Sequence, residues 1–186
     1  MDQPKLYMLL LGCKPKGRNT EQHDSFFAIG NSLKELIPQI KDFWPDAGSI
    51  HIDAWREVNT VDGYSIKILP AATKNINNPL KIFFLNLGGY KENEFEEFHY
   101  KLLVVAASKG EAIKQAKQTA FYRHTGFKGA DSHIDDKYGI DVDDIYEIED
   151  ILPASFKEEF HIRIEKSNSE AEADKLNLGY FKLSNL

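Results

Sequence analysis

Apolar positions along this chain come in short runs, and the runs recur in the same order. The first two, Leu6–Leu11 and Leu80–Leu87, end at Gly12 and at Gly88-Gly89. Runs this short, closed by glycine, predict buried strands rather than helices. After each comes a polar loop and a second apolar run, Phe26–Ile29 and Leu102–Ala106. Ser32-Leu33-Lys34-Glu35 and Ser108-Lys109-Gly110-Glu111 then match a capping box, in which the Ser hydroxyl accepts an orphan backbone N–H and the Glu reaches back to the cap residue. Helices are therefore predicted from about residues 33 and 109. The first carries Leu33, Leu36, Ile37, Ile40, Phe43 and Trp44 on one face and is expected to kink at Pro38. The second is slimmer, with Ala112, Ile113, Ala116 and Ala120. Two more strands are predicted after each helix, near 50–56 and 64–69, then near 132–135 and 144–149.

The two halves align. Shifted by 76 positions, residues 11–44 match 87–120 at 9 of 34 pairs without a gap, where chance would give about 2. The identities include Gly12/Gly88, Glu21/Glu97, His23/His99, Glu35/Glu111 and Gln39/Gln115. Beyond them a shift of 82, with six residues inserted near His124–Lys128, lays His51-Ile52-Asp53 on His133-Ile134-Asp135. It also lays Asp62, Tyr64 and Ile66 on Asp144, Tyr146 and Ile148.

The expected fold is α+β: a tandem duplication of a β-β-α-β-β unit with pseudo-two-fold symmetry, mixed or antiparallel sheets and one main helix per unit. Repeat one is placed at 1–74 and repeat two at 75–153, joined through the turn-rich Pro70–Pro79. A C-terminal extension, 154–186, is expected to add a strand pair from Phe160-His161-Ile162-Arg163-Ile164 and Leu178–Leu183.

Composition narrows the partners. With 23 Lys and Arg against 29 Asp and Glu, the net charge of −6 argues against nucleic acid and against anionic membranes. Cys13 is the only cysteine, so no intrachain disulfide forms and a reducing compartment fits. Leu6–Leu11 is too short for a signal segment or a membrane span, and the expected location is cytoplasmic.

The most site-like features are His51-x-Asp53 and His133-x-Asp135. Residues two apart on a strand share a face, so each pair stands side by side. Such a pair serves acid–base chemistry or metal binding, or equally ties down neighbouring loops by hydrogen bonds. His23 and His99, expected at the ends of the first loops beside Glu21 and Glu97, would complete a ligand set if they converged on the His-x-Asp pairs. The spacing does not require that, and no HExxH or CxxC is present. Lys14, Lys16 and Arg18 make the first loop basic and a candidate anion site, whereas Glu92, Glu94, Glu96 and Glu97 make its counterpart acidic. Loops of opposite charge would suit a homodimer contact. Trp44, Trp55, Tyr64 and Tyr146 are read as core rather than pocket lining, and Cys13 beside Lys14 and Lys16 is given little weight as a nucleophile.

Leu11-Gly12 with Asn19, Glu21-x-His23-Asp24, Phe27, Gly30, Trp44 and His51-x-Asp53 resembles an uncharacterised bacterial family, domain of unknown function 1543. The resemblance covers most of the chain before Pro153 and is weaker in the second half, which has Tyr100, Ala106 and Ala120 at the Asp24, Gly30 and Trp44 positions. It implies a bacterial origin and a tandem arrangement, and brings no activity. The expectation is a non-catalytic binding or protein-interaction module with no cofactor; the alternative is a small hydrolase-type or metal-binding enzyme using His51 and Asp53, assisted by His23 or Glu21.

Overall fold

The computed structural model describes residues 3–74, 78–90, 93–118, 140–167 and 172–186. It is a mixed α+β structure with antiparallel sheets and short helices. Two compact units divide it: residues 1–74 with 152–186 form unit 1, and 75–151 form unit 2.

In unit 1, strands β1 (Lys5–Cys13) and β2 (Gln22–Gly30) form an antiparallel hairpin. β3 (His51–Glu57) pairs with the other edge of β1. A short β4 (Thr60–Val61) and β5 (Tyr64–Pro70) follow. In unit 2, β6 (Lys81–Tyr90) pairs with β7 (Glu97–Ala106) and with β8 (Ile140–Glu147) in the order β7-β6-β8. The C-terminal strands β9 (Phe160–Lys166) and β10 (Asn177–Lys182) both form, but they do not pair with each other as expected. β9 joins β5, and β10 joins β3, giving unit 1 the sheets β10-β3-β1-β2 and β4-β5-β9. β5 therefore belongs to a sheet separate from β1, which a linear β-β-α-β-β reading does not anticipate.

Strict alternation in β1 sends Tyr7, Leu9, Leu11 and Cys13 into a core completed by Phe26, Ala28, Leu36, Ile40 and Ile52. The covering helix differs from expectation at its start. Leu33–Leu36 is a 3-10 turn, and helix α1 runs Ile37–Phe43 with Pro38 in its first turn. There the missing N–H would have had no helical partner anyway, so Pro38 starts the helix instead of kinking it. In unit 2, helix α2 (Lys109–Ala116) presses Ala112 and Ala116 onto Phe83, Leu85, Leu87 and Val104.

The Ser caps also differ. The Ser108 hydroxyl accepts from the Glu111 N–H at 3.3 Å, whereas Ser32 makes no side-chain cap bond. The glutamates reach one residue further back than a capping box requires, to the N–H of Asn31 at 2.9 Å and of Ala107 at 3.0 Å.

Several contacts made within unit 1 recur within unit 2. Lys5 Nζ meets Glu57 at 2.7 Å, and Lys81 Nζ meets Glu147 at 2.7 Å. Gln39 donates to the Ile29 carbonyl at 3.2 Å, and Gln115 to that of Val105 at 3.3 Å. The β1–β3 register slips between Leu10 and Leu11, and the β6–β8 register slips between Asn86 and Leu87. Because Gly12 faces His51 and Gly88 faces Asp141, the third strands correspond at an offset of 141 − 51 = 90. His133 and Asp135 lie outside the described residues, and the residues in the places of His51-Ile52-Asp53 are Asp141-Val142-Asp143. Residues 148 and 149, expected to end a strand, instead open helix α3 (Ile148–Ile151), and α4 (Ala154–Glu159) follows in unit 1.

Candidate functional site

Gly12 is the pivot of a row across three strands. It pairs with His23 on β2 and with His51 on β3. Its neighbours Leu11 and Cys13 point into the core, so Gly12 and the two histidines lie on the opposite face. His23 is therefore a strand residue and not the end of a loop, because the hairpin ladder continues past the apolar stretch into polar sequence.

Two neighbouring spacings of about 4.8 Å separate the outer strands, and an ordinary side chain between them would keep the imidazoles apart. A Cβ at Gly12 would overlap His51 Nε2 and lie 2.5 Å from Asp53 Oδ2. Glycine is thus required here for the space it leaves. Asp53 arrives by a different device. The ladder passes from Leu10–Ala54 to Leu11–Ile52, so Asp53 is the extra residue of a β-bulge. Bulges re-aim a side chain out of the regular alternation.

The result is a ring of two imidazoles and two carboxylates. Glu21 places Oε1 3.1 Å from His51 Nε2 and Oε2 3.6 Å from His23 Nε2. Asp53 places Oδ1 3.2 Å from His51 Nε2 and Oδ2 3.3 Å from His23 Nε2. Each carboxylate thus bridges both histidines, one oxygen to each. The His51 side chain is only 5% exposed, while His23 and Glu21 are each 43% exposed, so the ring opens to solvent on their side. The Tyr180 ring covers His51, with centroids 4.2 Å apart and planes tilted 31°.

Neither His51 Nε2 nor Asp53 Oδ2, both buried, makes a hydrogen bond. One imidazole nitrogen carries one N–H or one lone pair, and here two carboxylate oxygens crowd it without lying in line. Buried polar groups left this way are costly, and they mark places where another group completes the set. Around a metal ion with bonds of about 2.0–2.2 Å, adjacent N and O ligands stand about 3.0–3.5 Å apart. The four imidazole-to-carboxylate spacings, 3.1 to 3.6 Å, fall in that range or just beyond it, although no three of the ring's side chains bring one donor each within 4.8 Å of the others.

In unit 2 a glycine again stands at the centre of a three-strand row. Gly88 pairs with His99 and with Asp141, and Asp143 is the bulged residue. His99 Nε2 lies 3.2 Å from Asp143 Oδ2, and a Cβ at Gly88 would overlap that oxygen and lie 2.9 Å from Cγ. Glu97, His99 and Asp143 each bring a donor atom within 4.8 Å of the others, the one such group of three among the described residues.

The remaining candidates do not gather into a site. Lys14, Lys16 and Arg18 project exposed from the β1–β2 tip, where Gly17 adopts φ 84° and the Arg18 N–H closes a turn onto Pro15. Cys13 is fully buried, and burial, then the Glu21 charge, pushes its thiol up, the opposite of what a nucleophile needs. Trp44 and Trp55 pack against the unit 1 core, Tyr64 lies under the Lys166 ammonium at 4.5 Å, and Tyr146 is 46% exposed. A cavity of about 280 Å³ lined by Ile29, Gln39, Leu152, Phe156 and Phe160 contains none of the ring residues. Sequence reasoning missed Gly12 as the pivot, Asp143 as the partner of His99 and Tyr180 as a cover. The identity of Gly12 with Gly88 was a visible signal for the first.

The family model described as Domain of Unknown Function (DUF1543) matches residues 18–68, one stretch that contains all four ring residues. No curated protein matches the chain. Among solved structures, the crystal structure of a protein Il1583 from Idiomarina loihiensis is similar, with a TM-score of 0.64 and 21% identity. The similarity covers 97% of each chain and speaks to the fold alone. No helix among the described residues is long and apolar enough to cross a membrane.

Proposed function

We propose that unit 1 is a metal-binding module that holds a divalent transition-metal ion through Glu21, His23, His51 and Asp53. One observation carries this reading: the nitrogen of a buried histidine, His51 Nε2, without a hydrogen bond between carboxylate oxygens 3.1 and 3.2 Å away. An ion between them replaces an unsatisfied nitrogen by a coordinate bond and neutralises two facing carboxylates. Two imidazoles with two carboxylates suit zinc, cobalt or nickel better than magnesium or calcium, which favour oxygen. Glu21 is exposed enough for its carboxylate to turn and draw the ring to a focus. The reading is one of binding and assigns no reaction to the chain.

The chain is read, in addition, as two diverged copies of a β-β-α-β unit. Support comes from the paired ion contacts, the paired glutamine bonds and the bulge at the same place in each third strand.

Cobalt substitution tests the metal reading. Added Co²⁺ is expected to give visible d–d absorption and a rise in the unfolding temperature of unit 1. His51→Ala is expected to weaken binding by about 100-fold, since even an outer partner of a ligand is worth about 10–100-fold. Absorption and stability that stay unchanged on adding Co²⁺ or Zn²⁺ would overturn the proposal and leave the ring as a charge network that only braces three strands.

A further inference from the structure

The geometry points to a second metal site in unit 2, in which Glu97, His99 and Asp143 hold a harder divalent ion than the unit 1 ring does. It shares the chemistry of the proposal above but rests on different atoms. Three donors, one from each side chain, already lie within 4.8 Å of one another, and His99 Nε2 stands 3.2 Å from Asp143 Oδ2. That is the spacing of two ligands on one ion.

The backbone supplies an independent argument. A bulge costs ladder hydrogen bonds and is kept where it aims a side chain. β8 keeps one at Asp143, opposite the same step in its central strand that β3 uses for Asp53. Gly88 keeps open the space that the Asp143 carboxylate occupies, since a Cβ there would overlap it. A glycine in a strand interior forfeits packing and backbone entropy, so its place beside this carboxylate needs a reason beyond stability. The corresponding glycine in unit 1 stands beside the ring that contains His51.

The difference between the sites sets their preference. Where His51 pairs with Gly12, the residue paired with Gly88 is Asp141. Unit 2 therefore has one imidazole in its row where unit 1 has two. Fewer nitrogen donors lower affinity for zinc, cobalt and nickel, whose advantage comes from imidazole, and favour manganese or magnesium by comparison. Its ligands are also exposed, His99 by 37% and Asp143 by 31%, so they are less fixed before binding than the buried His51.

Manganese is the probe. Titration of the full chain with Mn²⁺, followed by electron paramagnetic resonance, is expected to show one bound ion per chain that survives His51→Ala. Asp143→Asn, nearly isosteric and on a partly exposed side chain, should weaken Mn²⁺ by at least about 10-fold and leave the Co²⁺ absorption of unit 1 intact. His99→Gln provides a second variant, with thermal unfolding reporting that both remain folded. Loss of Mn²⁺ in His51→Ala but not in Asp143→Asn would overturn the unit 2 assignment. So would absence of bound Mn²⁺ while Co²⁺ still binds, and that outcome leaves the unit 1 reading standing. Absence of Co²⁺ with Mn²⁺ retained and sensitive to Asp143→Asn sinks unit 1 alone.

Discussion

Units 1 and 2 share directional contacts and differ in how their cores are filled. The lysine–glutamate pairs, the glutamine-to-carbonyl bonds, the glutamates that reach back before the helix and the third-strand bulge occur in both. Yet unit 1 inserts Leu36 from its 3-10 turn and Ile40 from helix α1, where helix α2 of unit 2 offers Ala112 and Ala116. Apolar contact is non-directional, so lost volume on one element is regained by moving it closer. A hydrogen bond fails within an ångström of misplacement, and a buried partner is then left unsatisfied. The skeleton of polar contacts is therefore the part of a unit that can change least.

Exchanging the helix filling tests this most severely. Leu36 is completely buried, and Leu36→Ala is expected to destabilise unit 1 by about 2–5 kcal/mol, through lost transfer energy and a cavity that cannot fully collapse. Both tryptophans, Trp44 and Trp55, belong to unit 1, so their fluorescence reports its unfolding in denaturant. The reciprocal Ala112→Leu should cost about 1–3 kcal/mol by overpacking. A loss below about 1 kcal/mol for Leu36→Ala would mean that the helix already settles as closely in unit 1 as in unit 2.

Next in size is the pivot glycine. Gly12→Ala is expected to cost about 1–3 kcal/mol, because His51 is buried under Tyr180 and has nowhere to retreat. It should also remove Co²⁺ binding. Gly88→Ala should cost less, since Asp143 is partly exposed and can swing out, while Mn²⁺ affinity still falls. Equal stability losses would show that the two glycines serve backbone packing and not the side chains beside them.

How much of this was legible beforehand depended on spacing. The paired runs, the helix faces and the 76-residue offset follow from local periodicity, and the strands and helices of residues 5–70 stand where those patterns put them, within a few residues. Glu21, His23, His51 and Asp53 were candidates on residue type. Their convergence was not readable, because it depends on the β1 register with two other strands and on a bulge, neither of which leaves a local signature. The role of β8 was hidden for a related reason. Asp141-Val142-Asp143 bears little likeness to His51-Ile52-Asp53, and only strand pairing with Gly88 places it beside that glycine. Which strand the C-terminal segments join was equally hidden, since alternation identifies a strand and says nothing of its neighbour.

The helix caps offer a smaller contrast. Ser108 accepts a bond from Glu111 and Ser32 accepts none. Ser108→Ala should cost about 1 kcal/mol, and Ser32→Ala should change unfolding by no more than a few tenths. Matching losses would place an unobserved cap in unit 1 and remove this difference between the units. The difference originates in the turn after each serine. In unit 1 a 3-10 turn leads into Pro38, so its N–H groups are never presented to the Ser32 hydroxyl as an α-helix would present them.

The last contrast is a single hydroxyl, whose effect shows itself at high pH. Tyr7 on β1 stands where Phe83 stands on β6, each opposite a glutamate of the third strand, Glu57 and Glu147. Burial first, and then the Glu57 charge 3.5 Å from its oxygen, pushes the Tyr7 phenol up from the ordinary 10.0 to about 12. The unfolded chain releases that proton near pH 10, while the folded chain holds it until about 12. Across that window the unfolded state binds fewer protons, so stability falls as pH rises. The Tyr7 contribution is complete below pH 10 and is lost by about pH 12. Tyr7→Phe copies unit 2 at this position, and its unfolding midpoint should decline less steeply than that of the parent from pH 10 to 12. At pH 7 the change should stay within about 1 kcal/mol, since the one hydrogen bond lost is long. Parallel declines in parent and variant would show that the phenol ionises alike in both states, and that Glu57 is held by Lys5 too well to act on Tyr7.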